Sequence, residues 1–393
     1  MKKRHFFVLS LVLSFFVFFY ANCYVYAQEV EIEAPSSIVI EAKTGTVIYE
    51  KNPDEVRSPA SITKIMTLLL AFEALDSGKI HLEDKVITSA YAKSMGGSQV
   101  FLEEGETQTV DTLLKCIAVA SGNDASVCMA EHISGTEDEF VFLMNEKAKE
   151  LGMNNTHFMD CCGLSNSDEH YTTAKDVALM SKELITKYPQ VFKYTTIWME
   201  DITHVTKEGE STFTLSSTNK LLKQYPYPNG LKTGSTDKAK YCLSATALKD
   251  DVQLIAVVMG APDYKVRFED CKKLLNYGFA KVHYYEDEKQ QIPNAIAVRR
   301  GVELETKLEY REKFIYLDMN GNDLSKVTKQ EVIPEYVEAP LKKGDKVGEV
   351  TYYLGEKQIG TMDIVVTQDL TAAGFFDYFK RGFGKWLLGS LGV

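Results

Sequence analysis

"RSPASITKIM", residues 57–66, places a serine and a lysine three positions apart directly after a proline. The run continues as "TLLLAFEALDS" to Ser77 and meets Gly78, a pattern that predicts a strongly apolar helix from Ser61 to about Ser77 with a glycine stop. On a helix, positions i and i+3 share a face, so the Ser61 hydroxyl and the Lys64 amine can meet there. That pairing is a nucleophile with its base, or it is an accident of composition. Ser-x-x-Lys also occurs at Ser217/Lys220 and at Ser235/Lys238, so the four-letter pattern decides nothing by itself.

The surroundings of this helix read as a mixed domain. "SSIVIEAKTGTVIYE", residues 36–50, is two apolar strands about a Lys43-Thr44-Gly45 turn. "TVDTLLKCIAVAS", residues 109–121, predicts a helix with Thr109 or Asp111 as its cap. "TAKDVALMSKELITKYP", residues 173–189, is amphipathic and stops before Pro189. Residues 240–261 predict two antiparallel strands turning at Lys249-Asp250-Asp251, and "RFEDCKKLLNYGFAKV" closes the unit as a helix.

The first 27 residues have a different character. Lys2, Lys3 and Arg4 precede the apolar "HFFVLSLVLSFFVFFY", and Val25-Tyr26-Ala27 offers small residues for cleavage, which predicts a secretory signal peptide over residues 1–27. An uncleaved anchor is the alternative. Losing the leader takes the formal charge from −11 to −14, and an acidic chain without a basic stripe argues against nucleic-acid binding. Six cysteines then remain: Cys116, Cys128, Cys161, Cys162, Cys242 and Cys271. No Cys-x-x-Cys or His-Glu-x-x-His is present, so neither a metal nor a cofactor is expected. Export permits disulfides, and sequence cannot choose their pairing; buried thiols are the favoured reading.

From Ile292 the texture changes to short alternating runs such as "KLEYREKFIYL" and "GEVTYYLGEKQIGTMDIVV", which predict a separate all-β module over residues 286–370, joined by "EDEKQQIPN" (286–294). The tail, residues 371–393, repeats Phe375, Phe376, Phe379, Phe383, Trp386, Leu387 and Leu391 at steps of three and four. Asp377, Lys380, Arg381 and Lys385 fall between them. An aromatic face beside a basic one suits a membrane interface, and the charges are too many for a spanning segment. The alternative is a helix packed on the protein's own core.

Two further stretches bear on Ser61: Ser121-Gly122-Asn123 after the helix at 109, and Lys232-Thr233-Gly234 leading into the strand at 240. Ser-x-x-Lys, Ser-x-Asn and Lys-Thr-Gly in that order, spaced by 60 and then 111 residues, are the signature of penicillin-recognising serine enzymes. The chain resembles the serine-type D-alanyl-D-alanine carboxypeptidases, the low-molecular-weight penicillin-binding proteins, over essentially its whole length. The resemblance implies an α+β catalytic domain at 28–285, with a helical cluster against an antiparallel sheet as in β-lactamases and D,D-peptidases. It implies as substrate a peptidoglycan stem peptide ending in D-Ala-D-Ala, with β-lactams as inhibitors. It also implies work at the outer face of the cytoplasmic membrane, the tail 371–393 holding the surface, or secretion.

The chemistry asks for these residue types. A serine hydroxyl is a poor nucleophile until a neighbouring base takes its proton, and Lys64 can do so only when neutral. Burial and the nearby Lys232 cation are expected to lower its pKa. Ser61 is therefore read as nucleophile, Lys64 as general base and Ser121 as a proton relay bridging Lys64 and the leaving group. Asn123 would hold the substrate amide, presenting a donor and an acceptor. Lys232 and Thr233 suit the terminal carboxylate, and Gly234 would let the substrate run close along the strand. By resemblance, the backbone N–H groups of Ser61 and Ser235 form the oxyanion hole, and Arg267 helps read the carboxylate.

Ser-Gly-Asn replaces the Ser-Asp-Asn of class A β-lactamases, and no Glu-x-x-Leu-Asn lies between residues 123 and 232, which disfavours a penicillin-destroying enzyme. No Gly-x-Ser-x-Gly elbow is present for an α/β-hydrolase triad. The rival readings are an endopeptidase or transpeptidase on the same site, or a non-catalytic wall-binding scaffold.

Overall fold

The computed structural model describes residues 30–287, 292 and 295–389, with side chains of the tail as far as residue 383. The expected signal peptide lies outside the described residues. The chain divides into two units between Phe279 and Ala280.

In the first unit, Ser36–Glu41 (β1) and Val47–Lys51 (β2) make the expected hairpin. The Glu41 carboxylate closes its turn by accepting the Lys43 and Thr44 N–H groups at 2.7 Å each, with Gly45 at φ +74°. The first Lys-Thr-Gly of the chain is thus a turn and nothing more. Pro228–Thr236 (β3), Lys240–Lys249 (β4) and Val252–Ala261 (β5) complete an antiparallel sheet in the order β2-β1-β5-β4-β3. The β4–β5 turn has Asp250 and Asp251 both at positive φ, the hairpin geometry that matches strand twist. Strand β3, with the second Lys-Thr-Gly, lies at the sheet edge.

The helical cluster centres on Lys64–Asp76 (α1), buried at Lys64 through Phe72 and again at Ala74. A helix apolar on all sides must sit inside other elements. Around it are Val110–Lys115 (α2), Asn123–Ser134 (α3), Glu137–Glu150 (α4) and Ala174–Lys187 (α5). Helix α5 touches α1 and strands β1 and β5, tying cluster to sheet. Its N-cap is Thr173, whose side chain accepts the Asp176 N–H. Tyr264–Lys281 (α6) packs on β5 so closely that a Cβ at Gly278 would lie 2.6 Å from Leu254 Cδ1. A hairpin of Met199–Thr206 and Gly209–Ser216 is one element the sequence reading leaves unassigned, because its strands are mostly polar and exposed.

All six described cysteines are buried and unpaired, as favoured above. Burial raises the Cys116, Cys161 and Cys271 thiols well above their ordinary range, which leaves little thiolate.

The second unit is β-rich, as expected. Leu308–Tyr310, Lys357–Val366, Lys346–Leu354 and Val327–Val332 form a four-stranded antiparallel sheet in that spatial order. Its core stacks Phe314 on Tyr352 with ring centroids 3.7 Å apart, above the buried Val350 and Ile364. The boundary differs from the expected one. His283–Asp287 is a strand paired with Phe314–Asp318, so the supposed linker "EDEKQQIPN" begins inside ladder structure; its charged side chains disguise a short strand as a connector. The rest of that stretch, apart from Ile292, lies outside the described residues. Phe375–Gly389 (α7) is the tail helix.

Candidate active site

The chain enters the site through a strained turn. Pro59 leads into Ala60 at φ +48°, and Ala60–Thr63 then form one 3-10 turn before α1 starts at Lys64. A non-glycine residue in this region costs about 1–3 kcal/mol and persists only where its surroundings impose it. The expected α-helix from Ser61 is therefore corrected to a tighter coil for its first turn. The correction matters, because side chains at i and i+3 eclipse in a 3-10 turn and Ser61 stands directly over Lys64.

Lys64 is fully buried, and its Nζ makes three contacts: Ser61 Oγ at 3.1 Å, Asn123 Oδ1 at 2.6 Å and the Cys162 carbonyl at 2.6 Å. A neutral amine has two hydrogens and one lone pair. The two carbonyl oxygens can only accept, so they take the hydrogens and leave the lone pair facing the serine hydroxyl. Burial lowers the Lys64 pKa, against an upward pull from Cys162, Cys161, Asp160 and Asp124. Desolvation is the leading cause at both lysines: burial first, then Lys64 and Arg267, hold the Lys232 amine well below the lysine range, and the two buried amines disfavour each other's charge.

The Ser-Gly-Asn stretch is set by an irregular helix end. Thr109 caps α2 by accepting the Thr112 N–H, and Asp111 occupies the first turn. The helix then widens to a π-turn over Cys116–Ala120, which the 3.6-residue period does not reveal. Ser121 follows at φ +64°, and its buried Oγ has no hydrogen-bond partner among the described residues. The expected bridge from Ser121 to Lys64 is thus not formed; Asn123 takes that position. Asn123 also donates from Nδ2 to Gly96 O at 2.7 Å, so its amide clamps Lys64 and the 96–102 loop rather than presenting a free donor and acceptor. The next residue, Asp124, pins the same loop by accepting the Val100 and Leu102 N–H groups at 3.1 Å.

Strand β3 brings the third stretch alongside. Lys232 is buried and donates to Thr233 O at 3.1 Å, while Thr233 Oγ1 donates to Thr218 Oγ1 at 2.7 Å. Gly234 is needed for a different reason from the one expected. A Cβ there would lie 2.8 Å from Pro59 O and 3.0 Å from Ile62 N, so the glycine lets the strand approach the Ser61 turn itself. Arg267, on α6, is buried and donates to Gly234 O at 3.1 Å and Cys242 O at 3.4 Å. Ser235 is exposed on the same strand.

Several residues that sequence reasoning passed over complete the site. Asp160 gathers the N–H groups of Cys162 (2.8 Å), Gly163 (2.5 Å) and Ser165 (2.6 Å) on its carboxylate and so shapes the loop that offers Cys162 O to Lys64. Gly163, at φ +80°, abuts the turn that carries Ser61: a Cβ would fall 1.8 Å from Ala60 O and 2.9 Å from Ser61 N. An Asp followed by Gly three residues on was the available signal, and it reads only as a loop.

A family model described as D-alanyl-D-alanine carboxypeptidase matches residues 24–263, and one for the C-terminal domain of penicillin-binding protein 5 matches 279–372. The chain belongs to the D-alanyl-D-alanine carboxypeptidase family. Within that family it is 43% identical to the D-alanyl-D-alanine carboxypeptidase DacF of Bacillus subtilis, over 91% of each chain. It is 33% identical to the carboxypeptidase DacA of Escherichia coli K12, over 91% of this chain and 89% of that one. Among solved structures it resembles penicillin-binding protein 5 of Haemophilus influenzae, with a TM-score of 0.72 and 31% identity over 88% of this chain and 99% of the other. The family settles the class: a serine-type D-Ala-D-Ala carboxypeptidase, a hydrolase acting on peptidoglycan stem peptides.

Proposed function

We propose that this carboxypeptidase runs its reaction through Ser61 with Lys64 as base. Ser61 Oγ attacks the carbonyl between two terminal D-alanines of a stem pentapeptide while Lys64 Nζ takes its proton. The backbone N–H groups of Ser61 and Ser235 hold the oxyanion. The Ser121 hydroxyl, without a partner among the described residues, relays to the departing amine the proton that Lys64 took from Ser61, so that Lys64 is neutral again; D-alanine leaves, and water releases the acyl-enzyme. Lys232, Thr233 and Arg267 meet the terminal carboxylate, with substrate charge restoring the proton that burial disfavours on Lys232. β-Lactams acylate the same oxygen. The observation that carries the assignment is the Lys64 amine held by two carbonyl acceptors with its third direction on Ser61 Oγ. General-base help of this kind contributes about 10²–10⁴ in rate.

The same reading extends to location. The protein is exported by its leader, the first unit acts on the wall, and the β-rich unit from Ala280 follows, with its tail, 371–393, resting on the membrane. No described helix is long and apolar enough to cross a membrane.

Fluorescent penicillin on wild type and Ser61→Ala tests the nucleophile. Covalent label on the first and none on the second is expected. Label surviving in S61A would overturn the assignment, and no label on wild type would favour a scaffold. Release of D-alanine from a pentapeptide, faster than cleavage of a cross-linked muropeptide or transfer to an added amine, separates the carboxypeptidase from its endopeptidase and transpeptidase rivals.

A further inference from the structure

One buried titratable group takes no part in the reaction just described. His170 is 1% exposed and lies between the two pieces of chain that make the site. Its Nδ1 faces the Met159 N–H at 3.0 Å, and its Nε2 faces Thr63 Oγ1 at 2.9 Å. An amide N–H only donates, so Nδ1 must accept and the ring hydrogen must sit on Nε2. Nε2–H then donates to Thr63 Oγ1, whose own hydrogen goes to Ala60 O at 2.8 Å. Every group in this line has one role open to it.

Both ends of the line are consequential. Ala60 O and Ser61 N belong to one planar peptide unit, so fixing the carbonyl fixes the direction of the Ser61 N–H. Met159 precedes Asp160, whose carboxylate shapes the loop that presents Cys162 O to Lys64. We propose that His170 is a positioning residue for acylation, its neutral Nε2–H tautomer bracketing the turn that carries Ser61 against the loop that holds Lys64. The proposal rests on Ser61 and Lys64 having the roles given above.

The charged groups around the ring set its response to acid. Asp160 Oδ2 lies 4.0 Å from Nδ1 and favours a cation, whereas burial, His157 and Lys238 disfavour one, and the net effect lowers the His170 pKa. Phe158 contributes only an apolar edge contact, and Thr63 is uncharged. A proton added at Nδ1 would oppose the Met159 N–H and release the loop, so the bracket is whole at neutral pH and fails in acid.

The test is the acylation of the full protein by a chromogenic cephalosporin, resolved into the rate constant k2 and the pre-covalent K. His170→Phe and Thr63→Val should each lower k2 by roughly ten- to a hundredfold, the scale of small misplacements at a reacting centre, while K stays put. The double variant should be no worse than the poorer single one, because both cut one line. His170→Gln, which keeps a donor for Thr63, should recover part of the rate and lose the acid-side fall that His170 causes. Rates for H170F and T63V within about twofold of wild type, losses confined to K, or fully additive losses would overturn the proposal. If H170F does not fold, T63V and H170Q decide, since both keep the local volume. Label on S61A would refute the nucleophile itself; an unlabelled S61A with unimpaired H170F would refute only the role of His170.

Discussion

At Lys64, burial favours the neutral amine that the proposed base requires. Its surroundings supply two acceptors for a neutral amine and no carboxylate contact that would hold a full positive charge. The sign of the pH effect follows. Lowering a lysine pKa means the neutral form is present at lower pH than the usual value of about 10.4 would allow. Acylation should therefore rise with pH through the lowered Lys64 value and level off below the range of a free lysine. Lys232 is itself held well below the lysine range, so the loss of its proton should weaken substrate binding within the same pH span, giving a bell for kcat/KM. Stopped-flow acylation and D-alanine release over about pH 5–10 check both limbs, and a profile flat across that range would contradict the base. Lys232 itself, Thr233 and Ser61 were legible as site residues because their order along the chain is distinctive. The unbonded Ser121 hydroxyl and the Asn123 clamp were not, since both depend on which of several nearby acceptors Lys64 reaches.

At the scale of elements, hydrophobic period and turn chemistry account for most of what the sequence revealed. The hairpin at 36–51, helix α5 with its Thr173 cap and the β4–β5 turn appear where alternation and caps place them. The departures at the site are irregular backbone. Ala60 at positive φ, the π-turn at Cys116–Ala120 and the loop gathered by Asp160 are held by contacts from distant parts of the chain, which no local window contains. The hairpin at 199–216 escaped for a simpler reason, having little apolar alternation to read. Gly163 and Gly152 separate strain from close approach. Both have positive φ, yet a Cβ at Gly152 meets nothing within 4 Å, while one at Gly163 collides with the Ala60 carbonyl. Gly152→Ala should cost about 1–3 kcal/mol for backbone strain alone. Gly163→Ala should cost distinctly more and should also depress penicillin acylation. Chemical denaturation and labelling check this, and equal costs with intact labelling would show that the loop and the Ser61 turn do not depend on that approach.

Over the whole molecule, the described part of the tail stands out for its exposed aromatic side chains. Phe375, Phe376, Phe379 and Phe383 are all more than half exposed along α7, with Phe379 stacked between Phe375 and Phe383. The alternative of a tail buried on its own core is not what these side chains do. Arg381 is not free for an anionic surface, as the basic-face reading supposed; it donates to Gly301 O and Val302 O at 2.6 Å and so pins the helix to the β module. In the proposed attachment, aromatic burial at an interface, worth about 25 cal/mol per Å² of apolar area, then has to carry most of the energy. Deleting residues 371–393 should move the protein from the membrane fraction to the soluble one while leaving penicillin labelling intact; unchanged sedimentation would refute a surface role for the tail.

The six sealed thiols bear on the proposed life outside a cell. A fold with no covalent staple among its described residues owes nothing to the redox state around it, so it can mature where no oxidase operates and survive where reductants abound. Conversely, peroxide finds no thiolate at its surface to attack, and damage by that route must wait for the core to open. For these cysteines, unfolding and oxidation are then a single event.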